Sequence, residues 1–186
     1  MRFACIVFSV SLLMSCQKTV PSTQASILNI DSLLDAQQQR LKNPKADKKI
    51  EVNDSIYGLD SAGLNLSKEF EIFRELEQLN LPIYKGGYIV TTHPDVKSNL
   101  TVREYRAKTE LPILTLRLLY LDQPNKLKRV EAEFVRKDFY SESYKKLQLD
   151  FSLLGDTIRL ESYHISGVQQ YFWGTPNHFS ITSIIK

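Results

Sequence analysis

The chain has 186 residues, 42% apolar and 24% charged, which is the composition of a globular domain and not of a disordered or fibrous one. Its 24 Lys and Arg against 21 Asp and Glu leave a formal charge of +3, with bases interleaved among acids, so the sequence carries no nucleic-acid footprint. A single domain of this length buries roughly 70% of its unfolded surface without disulfides or metals.

The first element is apolar. Phe3 to Met14 carries no charge, follows Met1-Arg2, and is too short for the ~20 residues that span a bilayer as a helix. It ends in Leu13-Met14-Ser15-Cys16, which resembles the lipobox of bacterial lipoproteins. The resemblance implies cleavage before Cys16, a diacylglycerol on its thiol, and a chain that hangs from a membrane by that residue. The alternatives are a buried first element of a cytoplasmic fold, or a soluble secreted protein with a lone thiol. Cysteine usage favours the lipid: Cys5 leaves with the signal, and Cys16 is then the one thiol of the exported chain. Two or three acyl chains, at about 0.8 kcal/mol per buried CH₂, hold such a protein stably. Residues 16–26 are small and polar and form a tether whose ten residues past Cys16 reach at most ~35 Å. Gln17 rather than Asp follows the Cys, and no acidic cluster succeeds it. By the sorting rules that the resemblance brings, this points to the periplasmic face of the outer membrane. The expected division is a signal over 1–15, a tether over 16–26 and one domain over 27–186.

Ile30, Leu33, Leu34 and Leu41 recur at helical spacing, with Asn29 or Asp31 as cap, Gln37, Gln38 and Gln39 toward solvent, and Pro44 as the stop. Lys48 to Asp54 and Ser55 to Asp60 predict a small hairpin turning near Asn53-Asp54. Lys48-Lys49 and Lys145-Lys146 are read as solvated faces. A second helix shows Leu66, Phe70, Phe73, Leu76 and Leu79 on one side, with Asn65 or Ser67 as cap, Glu69 and Glu71 in its first turn, and Pro82 at its end.

From Tyr88 the period changes to two. Strands are expected at Tyr88–Thr92, Leu100–Arg106, Ile113–Leu121, around Val130–Val135, around Leu147–Phe151, at Ile158–Ile165 and at Phe179–Ile185. His93-Pro94-Asp95, Pro112, Gln123-Pro124-Asn125, Gly155-Asp156, Gly167 and Gly174-Thr175-Pro176-Asn177 separate them, and short connections favour an antiparallel meander. The fold class is α+β, with two amphipathic helices packed on a curved, mainly antiparallel meander of about six to eight strands.

Leu41 to Lys49, Lys68-Glu69-Phe70-Glu71-Ile72-Phe73 and Leu79-Asn80-Leu81-Pro82-Ile83-Tyr84 are similar in layout to an uncharacterised family of small Bacteroidota lipoproteins. That resemblance implies a lipid-anchored protein with a β-rich C-terminal half, and no activity. Asp54-Ser55-Ile56 and Asp60-Ser61-Ala62 also resemble the O-glycosylation motif of Bacteroidota, which makes Ser55 and Ser61 candidate acceptors if both lie in an exposed loop. Asp31-Ser32 and Asp156-Thr157 match it too, but read as a helix cap and a turn.

No nucleophile elbow, phosphate-binding loop or dinucleotide motif is present, so no catalytic residue and no cofactor are expected. His93, His164 and His178 stand far apart, without a second ligand at metal spacing, and read as a turn residue, a strand side chain and a loop residue. Glu131 and Glu133 share the solvent face of one strand, while Asp122, Asp138 and Asp150 read as turn residues. Tyr171-Phe172-Trp173 is the densest aromatic cluster. At period two Tyr171 and Trp173 share one face. Either Phe172 enters the core while they cover a sheet edge, or they form an exposed platform for a partner, a glycan or lipid headgroups. The functional expectation is a non-enzymatic envelope lipoprotein that binds or scaffolds another envelope protein or a cell-wall component. The alternative is a periplasmic carrier of an apolar ligand in a half-barrel cavity.

Overall fold

The computed structural model describes residues 27–42, 44–61, 64–155 and 157–186. The expected signal and tether, with Cys16, lie outside them. The fold is α+β, a nine-stranded open antiparallel sheet with two helices. The strands are β1 (Ala46–Val52), β2 (Ser55–Ser61), β3 (Tyr88–Pro94), β4 (Thr101–Ala107), β5 (Ile113–Tyr120), β6 (Leu127–Lys137), β7 (Ser141–Leu154), β8 (Thr157–Tyr171) and β9 (Asn177–Ile185). Their order is β2-β1-β9-β8-β7-β6-β5-β4-β3. The seven strands from Tyr88 onward form the expected meander. The small hairpin joins the same sheet, because β1 pairs with β9 as well as with β2, so the strands number nine against the expected six to eight. The physical reason is the edge of β9: its free N–H and C=O groups need a partner, and β1 supplies one.

Helix α1 (Ile30–Arg40) begins at Asn29, whose side chain accepts from Ser32 N at 2.9 Å. Helix α2 (Leu66–Arg74) begins at Asn65 in the same way and continues as a 3-10 helix over Glu75–Asn80. The apolar face foreseen for the second helix is buried through both segments. Arg74 ties the helices together, reaching Asp31 at 2.5 Å and Asp35 at 2.6 Å. The described chain enters beside this pair, with Ile27 N donating to Asn80 Oδ1 at 2.9 Å.

The core lies between the helices and one sheet face, where Phe70, Phe73, Leu34, Leu116, Leu149, Leu160 and Tyr163 are fully enclosed or nearly so. Gln37, expected in solvent, is wholly buried. Its Nε2 donates to Ile158 O at 3.2 Å and its Oε1 accepts from Leu160 N at 2.8 Å. These backbone groups lie past the end of the β8–β9 ladder, which runs from Ser162, so the amide side chain takes the place of a missing strand.

The other face is wet. Glu104, Arg117, Glu131, Gln148, His164 and Thr182 follow one another across six strands in register. Glu131 meets Arg117 at 2.6 Å, and Glu133 meets Lys146 at 2.9 Å, as a solvated face requires. Asp150 is no turn residue. It sits within β7 against Arg129 at 2.5 Å. His93 and His178 lie within strands β3 and β9 and not in a turn and a loop. Asp60 is likewise in strand β2, not in a loop, because the β1–β2 ladder runs through Ser61. Ser55 is exposed beside the two-residue turn at Asn53-Asp54, where Asn53 takes φ 51°.

Gly167, expected to separate strands, lies inside β8. A Cβ there would stand 2.5 Å from Tyr144 O and 2.7 Å from Phe179 Cζ, so the position admits only hydrogen. Gly167→Ala is expected to cost about 2–3 kcal/mol through overpacking. Urea unfolding checks this, and an unchanged midpoint would mean the strands part freely there.

Candidate functional site: an aromatic end of the sheet

Two turns meet at one end of the long strands. In the β6–β7 turn, Asp138 Oδ1 accepts from Tyr140 N at 2.9 Å and from Ser141 N at 2.7 Å, and Oδ2 accepts from Ser141 Oγ at 3.0 Å. These backbone donors hold the Asp138 carboxyl below the usual carboxylate range. The arrangement is an Asx-type turn that places Phe139 and Tyr140 at the tip. After β8, Gly174 N closes a turn on Tyr171 O at 3.2 Å, and Phe172 N donates to Tyr140 O at 2.9 Å. The second bond joins the tips to each other.

Their rings form a continuous chain. Phe139 and Tyr140 meet edge to face at 4.9 Å, Tyr140 and Trp173 at 6.0 Å, and Tyr171 and Trp173 stack at 6.4 Å with planes 26° apart. Phe139 and Phe172 are each 88% exposed and Trp173 72%. Phe172 therefore does not enter the core. The strand ends at Tyr171, so the period-two placement of the next two residues lapses. Tyr171 and Trp173 do lie together, as an exposed platform requires. Beside the rings lies an open cleft of about 360 Å³, lined in part by Lys137, Glu142 and Gln170. Five large aromatics gathered at one end form a contiguous exposed surface and are more than scattered surface apolar residues. Their chemistry is stacking and apolar contact, with the indole N–H and phenol O–H as polar handles.

Sequence reading missed Phe139 and Tyr140. Their signal was two adjacent aromatics in a turn, flanked by Asp138 and Ser141, where polar residues are the rule.

A second cluster is enclosed. Lys48, foreseen in solvent, reaches Glu69 Oε1 at 2.8 Å and Oε2 at 2.9 Å, and Tyr163 Oη donates to the same carboxylate. Burial and then the Glu69 hydrogen bond push the Tyr163 phenol well above its ordinary value. Ser183, wholly buried, stands between Lys48 and Tyr163 in register. It is near enough to act on the phenol, but its hydroxyl is outside hydrogen-bond geometry. This cluster fastens α2 to the sheet.

The three histidines stay apart. His164 Nδ1 meets Thr182 Oγ1 at 2.9 Å, and His93 Nε2 lies 3.8 Å from Glu104. Among the described residues no three His, Cys, Asp or Glu gather as a metal would need, and no helix is long and apolar enough to cross a membrane. Comparisons with protein-family models, curated proteins and solved structures find no match to this chain.

Proposed function

We propose that the protein is a cell-envelope lipoprotein, held through acylated Cys16 at the periplasmic face of the outer membrane, that works by binding and not by catalysis. Its binding surface is the aromatic end, and the partner is another envelope protein or a cell-wall component. The observation that carries this reading is the exposure of Phe139, Tyr140, Tyr171, Phe172 and Trp173 on two turns bonded to each other. A folding core does not need rings placed in solvent, whereas a partner with apolar or sugar faces does. In the same reading the sheet curves over its helices, following the strand twist. The space between helices and sheet is occupied by Phe70, Phe73 and Tyr163, which leaves the half-barrel carrier with less support.

Cells carrying a photo-crosslinking amino acid at position 172 test it. A discrete crosslinked species is expected from 172 and not from the still more exposed position 96, and Tyr140→Ser with Trp173→Ser should abolish it at unchanged thermal midpoint. Cys16→Ala should move the protein from membrane to soluble fractions. No species from 172 would sink the binding surface, and unchanged fractionation would sink the anchor.

A further inference from the structure

The opposite end of the same strands carries a different surface. Arg40 ends α1, Lys42 and Lys45 follow it, Arg159 is the third residue of β8, and Lys186 follows β9. Spread over the sequence they are interleaved with acids. In the fold all five line one cleft of about 640 Å³, and among the described residues no acidic one lines it. Two contacts build the cleft. Arg40 Nη1 donates to Ile158 O at 2.7 Å, which fixes the guanidinium at the wall and leaves its remaining N–H groups to other acceptors. Lys186 N donates to Lys45 O at 2.9 Å, which holds the start of β1 beside the end of β9. Lys186 Nζ is engaged by Asp47 at 2.6 Å. Among the described residues Lys42, Lys45 and Arg159 have no acidic partner.

Several like charges around one concavity repel one another unless a counter-charge enters. Guanidinium forks and ammonium groups together match a phosphoryl group, which offers several acceptor oxygens and more than one negative charge. The cleft is also lined by Leu41, Ile158 and Leu154, the last 57% exposed. We infer that this cleft binds the phosphoryl head of an anionic amphiphile, with the bases on the head and Leu41, Ile158 and Leu154 along the first carbons of its chain. The site lies at the start of β8 and the aromatic end lies at its finish, the two ends of a fifteen-residue strand. At about 3.3 Å per residue that is some 45–50 Å, so either site can fail without the other.

Calorimetry on the full-length protein, purified from membranes in a non-ionic detergent, tests it with three probes. These are dihexanoyl phosphatidic acid, sn-glycerol 3-phosphate (the head without chains) and dihexanoyl phosphatidylcholine (the chains without net charge). The phosphatidic acid should bind at least about tenfold more tightly than either other probe, and more weakly as salt is raised. Lys42→Gln with Arg159→Gln should weaken it at least about tenfold at an unmoved thermal midpoint. Equal binding of phosphatidylcholine would overturn the charge recognition, and equal binding of glycerol phosphate would overturn the role of the apolar strip. Undetectable phosphatidic acid binding, or an affinity untouched by the double substitution, would overturn the site. Tyr140→Ser with Trp173→Ser should leave this affinity unchanged, which separates the cleft from the aromatic end.

Discussion

Phe73→Ala is expected to lower the free energy of unfolding by about 3–5 kcal/mol, enough to unfold a marginal domain at physiological temperature. Phe73 is fully buried where α2 meets the sheet, and its ring stands edge to face with Tyr163, centroids 5.6 Å apart and planes at 71°. The alanine loses the transfer free energy of the ring. It also leaves a hole beside Tyr163 in the core that a stiff sheet cannot close. Chemical denaturation with the slope m unchanged is the measurement, because a changed slope signals loss of α2 docking as a unit. A loss below about 1 kcal/mol would mean that the helix is not packed against the sheet through this residue.

Glu69→Ala is expected to cost about 2–4 kcal/mol, far more than an ordinary ion pair. Glu69 receives both Lys48 Nζ and Tyr163 Oη. Removing it strands a hydroxyl on a residue with no exposed surface and an ammonium on a side chain only 14% exposed. Lys137→Ala is the control: its pair with Glu142 is 59% and 60% exposed, and its loss should register within about 0.5 kcal/mol. Equal effects at the two sites would refute the enclosed cluster. pH supplies a second reading. The folded Tyr163 pKa is raised, so the folded state holds its proton more tightly than the unfolded state does. Stability is whole below about pH 10, the ordinary phenol value, and is lost as pH rises from there toward the folded value. Tyr88 and Tyr120, each pushed up to about 12 by burial, add to the same alkaline slope. Tyr163→Phe should therefore make the slope shallower without abolishing it, as urea midpoints across the alkaline range would show.

The difference between the two ends of the molecule explains what could be read early. Alternation along Val130, Ala132 and Phe134 marks a strand without any knowledge of its neighbours, because a half-buried strand must repeat at two. The face of α2 declares itself likewise at Leu66, Phe70 and Phe73. Tyr171 and Trp173 were visible as a dense aromatic run. Phe139 and Tyr140, some thirty residues earlier, join them only because the β6–β7 and β8–β9 turns fall at the same end of adjacent hairpins. The basic cleft was invisible for the same reason: its residues run from Arg40 to Lys186, and the charge balance along the chain conceals them.

Local periodicity and turn chemistry were enough to establish an α+β chain, to narrow each helix cap to two candidates that include Asn29 and Asn65, and to lay out an antiparallel meander from Tyr88 onward. These follow from interactions within a few residues, which a sequence displays directly. Gln37 in the core and β1 beside β9 follow from partners more than a hundred residues away, whereas Lys48 beneath α2 answers to the Glu69 carboxylate and Gly167 inside a strand to the Tyr144 backbone and the Phe179 ring, each on another element. A polar side chain is buried when a backbone group elsewhere needs it, and a glycine is required when another chain segment comes too close for a Cβ. Such needs arise only once the strands have been laid side by side.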